Sequence, residues 1–207
     1  MPHTTGRTHC VAFQITSKPL LQHLGGVIDH ITDRDAAMAG AAVSLRKSCV
    51  CLFVLDIPSN REKEAVVEFK KASVRFKEQL HERPLVLTVR NVDHLTLPSG
   101  HNLLYANVDP GHGDSGMAVI HEMVDELKSA LERSGAALDK SHNMFLHVPL
   151  LNTAHAGERP LPIGVELFEP YKEKRLGSQR VGSVQLLSMN KGLDKDGYYY
   201  CESEVMF

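Results

Sequence analysis

Apolar residues along this chain fall into blocks of two kinds: short continuous runs, and longer stretches in which they recur every three or four positions. His9 to Ile15 is the first short, β-rich run. Behind it, Leu20, Leu21, Leu24, Val27, Ile28 and Ile31 share one face, which predicts a helix capped by Ser17 with Pro19 in its first turn. Past a Gly/Ala-rich loop reaching Ala42, Cys49 to Ile57 is nearly all apolar, as expected of a strand covered on both sides. Ser59 is then expected to cap a second helix that turns Ala65, Val66, Phe69, Ala72, Phe76 and Leu80 to the core, and Pro84 to end it. Leu85, Leu87, Val89 and Asn91 alternate with Val86, Thr88, Arg90 and Val92 in a strand, and Pro98-Ser99-Gly100 turns the chain into the next, Leu103 to Val108.

From that strand the order repeats. Met117, Ile120, Val124, Leu127 and Leu131 stripe a helix, Gly135 closes it, and Met144 to Leu151 is again an almost continuous apolar strand. Cys49 and His147 therefore hold equivalent places in two copies of a strand–helix–strand unit, and a pseudo-two-fold would set them face to face. The expectation is an α+β fold, residues 1–207 forming one domain of two pseudo-symmetric lobes around a central cleft. Thr153 to Gly182, with Pro160, Pro162 and Pro170, reads as a long ordered loop with one helical turn near Glu166 to Tyr171. Val184 to Met189 and Tyr198 to Val205 form a closing hairpin.

Composition narrows the function classes. In 207 residues, 43% of them hydrophobic, there is enough apolar surface for a real core. With Lys+Arg 23 against Asp+Glu 25, a net charge of -2, no global basic field draws in long nucleic acid, though a local basic strip at a cleft remains compatible. The four cysteines, Cys10, Cys49, Cys51 and Cys201, contain no CxxC pair, which implies free thiols in a reducing compartment. No apolar run approaches membrane length and no signal-like start is present, so a cytoplasmic or nuclear protein without membrane contact is expected. Neither a P-loop nor a GxGxxG loop after a strand occurs, and no cofactor is implied.

Facing strands that each carry a short polar motif suit acid–base chemistry at phosphorus: one histidine takes a proton, the other gives one, and a hydroxyl two residues on, on the same face, holds the phosphate. With the run Leu146-His-Val-Pro-Leu-Leu-Asn-Thr153 and the ending Gly197-Tyr-Tyr-Tyr-Cys-Glu-Ser203, this order resembles the two-histidine (2H) phosphoesterase superfamily. Within it, the chain looks most like the central domain of gamma-type A-kinase anchoring proteins. It is also similar to domains of an activating-signal cointegrator subunit and of leukocyte receptor cluster member nine. The resemblance implies a 2′-5′ RNA ligase-like fold and a motif of His-x-Thr/Ser plus an apolar residue on each of two strands. Here the first motif reads Cys49-Val50-Cys51-Leu52 and the second His147-Val148-Pro149-Leu150, so one of four polar groups is kept. Losing one acid–base partner costs roughly 10²- to 10⁴-fold in rate. The resemblance therefore implies a degenerate domain, a pseudoenzyme that binds a nucleotide or short RNA end around His147, Cys49, Cys51 and Pro149 with little or no hydrolysis.

Other readings compete. A divergent, metal-independent phosphodiesterase acting on 2′-5′ or 2′,3′-cyclic phosphates would pair His147 with Cys49 or His94; a protein-interaction scaffold would leave the cleft vestigial. His94-Leu95-Thr96-Leu97 is a literal HxTx, but it lies directly before the second repeat, out of place for a symmetric cleft. Cys49, Cys51 and His147 could offer zinc two thiolates and an imidazole, yet Cys-x-Cys on one strand is an uncommon zinc spacing; buried inert thiols, and no metal, are expected. Three consecutive tyrosines cannot all face one way in a strand, which leaves Tyr198 and Tyr200 as ligand-stacking candidates beside a core-packing role. His101, His112, His142 and His155 fall in loops. Lys172-Glu173-Lys174-Arg175 reads as a solvated face, with a phosphate-steering rim as its alternative.

Overall fold

In the computed structural model, which describes residues 6–111, 114–139 and 144–207, the blocks of the sequence become two sheets and three long helices. His112 and His142 lie outside the described residues. The order is β1 (His9–Gln14), α1 (Lys18–Arg34), β2 (Cys49–Asp56), α2 (Glu62–Glu82), β3 (Val86–Thr96), β4 (Asn102–Pro110), α3 (Asp114–Arg133), β5 (Ala137–Leu138), β6 (His147–Asn152), β7 (Arg175–Arg180), β8 (Ser183–Ser188) and β9 (Tyr200–Met206). The first sheet runs β5-β2-β1-β8-β9 and the second β6-β4-β3-β7. Apart from the two-residue β5, each sheet has the same plan: a motif strand, the strand that opens its repeat, then two further strands. That is the pseudo-symmetry the repeated order predicts.

One face of each sheet is dry. Val11, Phe13, Val50, Leu52, Leu104, Ala106, Val148 and Leu150 all join one apolar core with Leu20, Leu24, Phe69, Phe76, Ile120 and Leu127 from the helices. Helix α1 reaches over to the second sheet, contacting β6 and β7, whereas α2 packs on β8, β9 and α3. The crossing of α1 is tight at Gly177 (φ 152), where a Cβ would stand 3.3 Å from Leu20 Cδ1. Gln179 of β7 fastens the same crossing: its Oε1 accepts from the amides of Thr16 and Ser17 at 2.9 and 3.1 Å, and its Nε2 donates to Gln14 O at 2.7 Å.

The sheets approach along their motif strands. β2 and β6 are in contact. Between them the segment after α1 closes the gap, with Val43 N donating to Leu150 O at 2.9 Å and an isolated bridge joining Ala42 to Leu151.

Several local expectations give way to stronger forces. Ser17 occupies the N-cap place but makes no side-chain cap, and its backbone amide donates to Gln179. Ser59 opens a short 3₁₀ turn, and α2 starts only at Glu62. Asn91, expected in phase with Leu87 and Val89, is instead a bulge residue with φ 55, and Val92 takes the core position. The loop expected over 153–182 contains its helical turn at Val165–Phe168 but also β7, a strand with too little apolar alternation to stand out. Regular pairing of the second motif strand begins at His147 rather than Met144. Among the described residues no helix is long and apolar enough to cross a membrane.

Candidate functional site

Side chains alternate across a strand, so the residues between the core positions of β2 and β6 point to the opposite faces of the sheets. On the first sheet that face carries Cys10 and Ala12 from β1, Cys49 and Val54 from β2 and Leu187 from β8, with Cys51 partly buried beside them. The turn between β8 and β9 covers this surface with Tyr198 and Tyr199. Tyr198, 5% exposed, donates from its hydroxyl to Gln185 Oε1 at 2.9 Å and packs in the same buried cluster as Cys49. Gln185 in turn donates to Glu204 Oε1 at 2.9 Å. The turn is held at its base, where Asp194 Oδ1 accepts from the amides of Asp196 and Tyr198, and Lys47, just before β2, lies 5.8 Å from the Tyr199 ring centre.

Burial decides the chemistry of these thiols. Cys49 is 9% exposed, and desolvation, with the neighbouring Cys51 adding to it, pushes its thiol up to about 12. Cys10 is raised too, first by its hydrogen bond to Cys51 and then by burial. A thiol held neutral this firmly is neither a base nor a nucleophile near neutral pH. Among the described residues no group of three or more His, Cys, Asp or Glu side chains is arranged to hold a metal ion.

The second sheet presents an open face. His147 opens β6 and is directly paired with Asn107 of β4, as Pro149 is with Tyr105. The imidazole stacks on Phe145, ring centres 4.8 Å apart and planes 22° from parallel, and meets Tyr105 edge-on at 5.6 Å. Nδ1 lies 2.8 Å from the carbonyl oxygen of Phe145. A carbonyl can only accept, so Nδ1 carries the proton of the neutral ring and Nε2 is its basic nitrogen. Burial raises the Tyr105 phenol, with the Asp93 carboxylate adding to the effect, so it stays neutral and able to donate.

His94 and Thr96 take no part in this surface. His94 pairs with the core residue Leu104, and its ring tilts against Phe168 at 5.3 Å on the helix side of the sheet, while Thr96 Oγ1 donates to Asn102 Oδ1 at 2.9 Å. The structure thus places the literal HxTx on the reverse face from His147. Tyr200 is paired with Ser188, one residue out of phase with Leu187, so it too leaves the thiol-bearing face, with Lys191 5.0 Å from its ring centre. Of the three tyrosines, Tyr199 is the one partly buried against the thiols beside Tyr198, while one aromatic, Phe145, 36% exposed and stacked on His147, escapes the sequence reading. Phe145 is next but one to His147, and that spacing was the available signal.

Compared with known proteins, residues 7–207 match the model of the AKAP7 2'5' RNA ligase-like domain. A-kinase anchor protein 7 isoform gamma of Homo sapiens is 21% identical over 204 residues, which is 95% of this chain but 56% of that protein, so the chain spans little more than half of the relative's length. Among solved structures, E. coli LigT complexed with 3'-AMP superposes with a TM-score of 0.63 at 13% identity, covering 97% of this chain and 98% of that one. TT0787 of Thermus thermophilus gives 0.61 at 12% identity, covering 96% and 97%. The LigT complex with ATP gives 0.54 at 13% identity, covering 97% and 98%.

Proposed function

Since the chain belongs to the AKAP7 2'5' RNA ligase-like domain family of the 2H phosphoesterase superfamily, we propose that it binds the phosphate-bearing end of a nucleotide or short RNA at His147 and does not turn it over at an enzymatic rate. LigT, of the same fold, has been crystallised with 3'-AMP and with ATP. The observation that carries the reading is the contrast between the two motif strands. His147 has its Nδ1–H fixed by a backbone carbonyl and its ring backed by Phe145, so Nε2 can accept from a ligand hydroxyl or, when protonated, donate to a phosphate oxygen. Tyr105 supplies a neutral phenol beside it. At the other strand, Cys49 is covered by Tyr198 and stays protonated, and Cys51 and Pro149, read as the second positions of the two motifs, offer no hydroxyl. Of the motif positions Cys49, Cys51, His147 and Pro149, His147 supplies a proton carrier, where transfer across a phosphodiester requires a donor and an acceptor.

Titration of 3'-AMP, 5'-AMP and 2',3'-cyclic AMP by calorimetry tests the binding half. We expect micromolar-to-submillimolar affinity for at least one of them and a loss of tenfold or more in His147→Ala; no binding below about 1 mM, the edge of specific recognition, would sink it. Incubation with 2'-5' oligoadenylate tests the other half, and turnover above the His147→Ala background would replace the binding module with a divergent phosphodiesterase.

A further inference from the structure

Directly paired residues in a sheet share a face, and the pairing that places His147 beside Asn107 continues through β3 and β7: Asn107 pairs with Arg90, and Arg90 with Arg175. A single row, His147–Asn107–Arg90–Arg175, therefore crosses the open face of the second sheet from its motif edge to its far edge. Neighbouring strands lie about 4.8 Å apart, which puts Arg90 on the order of 10 Å and Arg175 on the order of 14 Å from His147 at the backbone. Both arginines are exposed, and they line one hollow of about 400 Å³ with Thr88, Asn91, Asp109 and Glu173.

The hollow is shaped by the bulge at Asn91, a left-handed residue on an otherwise regular strand. Its peptide is pinned on both sides: Asn91 N donates to Lys174 O at 3.0 Å, and Asn91 O accepts from Asn107 Nδ2 at 2.7 Å. Non-glycine residues in this backbone region are held there by their surroundings, and such outliers cluster at binding sites. Asp109 accepts from Arg90 Nη2 at 2.6 Å, which engages one of the five N–H donors of this exposed guanidinium. Arg175 donates to Ser178 Oγ at 3.4 Å. Of the run 172–175, Lys172 is tied to Glu169 at 3.0 Å and Lys174 lies over Tyr171, so Arg175 is the cation that faces the row.

We propose that this row is a track for a single RNA strand: the terminal phosphate sits at His147 and the phosphates upstream are held by Arg90 and Arg175. The proposal rests on the nucleotide-end reading and sharpens it, from a mononucleotide site to one that selects oligonucleotides. Guanidinium forks on an exposed sheet face suit phosphodiester oxygens, and the exposed Phe145 ring at the head of the row offers a base a stacking surface.

The test compares 3'-AMP with tetra-adenylate carrying a 3'-phosphate, each titrated against the wild-type chain, Arg90→Ser/Arg175→Ser and Arg175→Glu. The tetranucleotide binds the wild type at least tenfold more tightly than 3'-AMP. In both variants that advantage disappears, with 3'-AMP affinity shifting less than twofold, which also reports that the variants are folded. The salt dependence of tetranucleotide binding is steeper by about 0.7 per phosphate held, and the variants lose that excess. Equal affinity of the two probes, an advantage that survives in both variants, or poly-glutamate competing as well as tetra-adenylate would overturn the track. If 3'-AMP binds and length adds nothing, the track alone falls; if neither probe binds, the nucleotide-end reading falls with it.

Discussion

The two motif strands occupy the same place in sheets of the same plan, yet one is sealed and the other open. On β2, the residues that alternate with the core are cysteines, and the β8–β9 turn lays Tyr198 and Tyr199 over them. On β6, the equivalent residues are His147 and Pro149, flanked by Tyr105, Asn107 and an exposed row of arginines. The difference teaches what packing does to two strands of one plan. A small side chain leaves room, and interiors do not leave room empty. Over Cys49 that room is taken by Tyr198, its hydroxyl satisfied by Gln185, so this face of the first sheet is buried where that of the second is not.

Introducing the motif groups should therefore be costly on one side and cheap on the other. Cys49→His forces a larger, polar ring beneath Tyr198, and overpacking plus an imperfectly satisfied imidazole should cost ~2–4 kcal/mol in urea unfolding. Pro149→Thr, on the partly exposed face of β6, should stay within about 1 kcal/mol of wild type. Equal penalties at the two sites would mean that the first lobe is not sealed as described.

Tyr198→Phe probes the seal more gently. The ring still covers Cys49, but Gln185, 4% exposed, loses the hydroxyl that donates to its Oε1. Leaving one buried acceptor short of a partner should lower stability by ~1–2 kcal/mol with no change in 3'-AMP affinity, since His147 belongs to the other sheet. A variant as stable as wild type would show that the hydroxyl is dispensable to the cover.

The repeat was legible because its carriers are apolar: the stripes Leu20, Leu24, Ile31 and Ile120, Val124, Leu127 sit in the core as their spacing implies. β7 was not legible, because Arg175 to Arg180 offers little alternation, and it is a strand only because β3 presents a free edge to pair with. The facing of side chains was harder still. His94 and His147 look alike as letters, but phase along β3, set by the bulge at Asn91, sends His94 to the helix side against Phe168. Likewise, nothing in Tyr198-Tyr199-Tyr200 says which ring closes over the thiols; that depends on the register of β9 against β8. Sequence periodicity finds a motif strand, while bulges and register decide what stands next to the motif.

The smallest effect expected separates the lobes by pH. The Cys49 thiol, at about 12 in the folded chain against an ordinary 9.0, releases its proton more readily when unfolded. Above pH 9 the unfolded state thus holds fewer protons than the folded one, so this group's contribution, complete below pH 9, is lost as pH climbs toward 12. Cys49→Ala removes that contribution while leaving the other raised groups in place. Its unfolding free energy should therefore fall less steeply with pH than that of wild type, the two curves converging by under about 1 kcal/mol near pH 9.5. Parallel curves from pH 8 to 10 would mean that water reaches Cys49, and with it that this face of the first sheet is open.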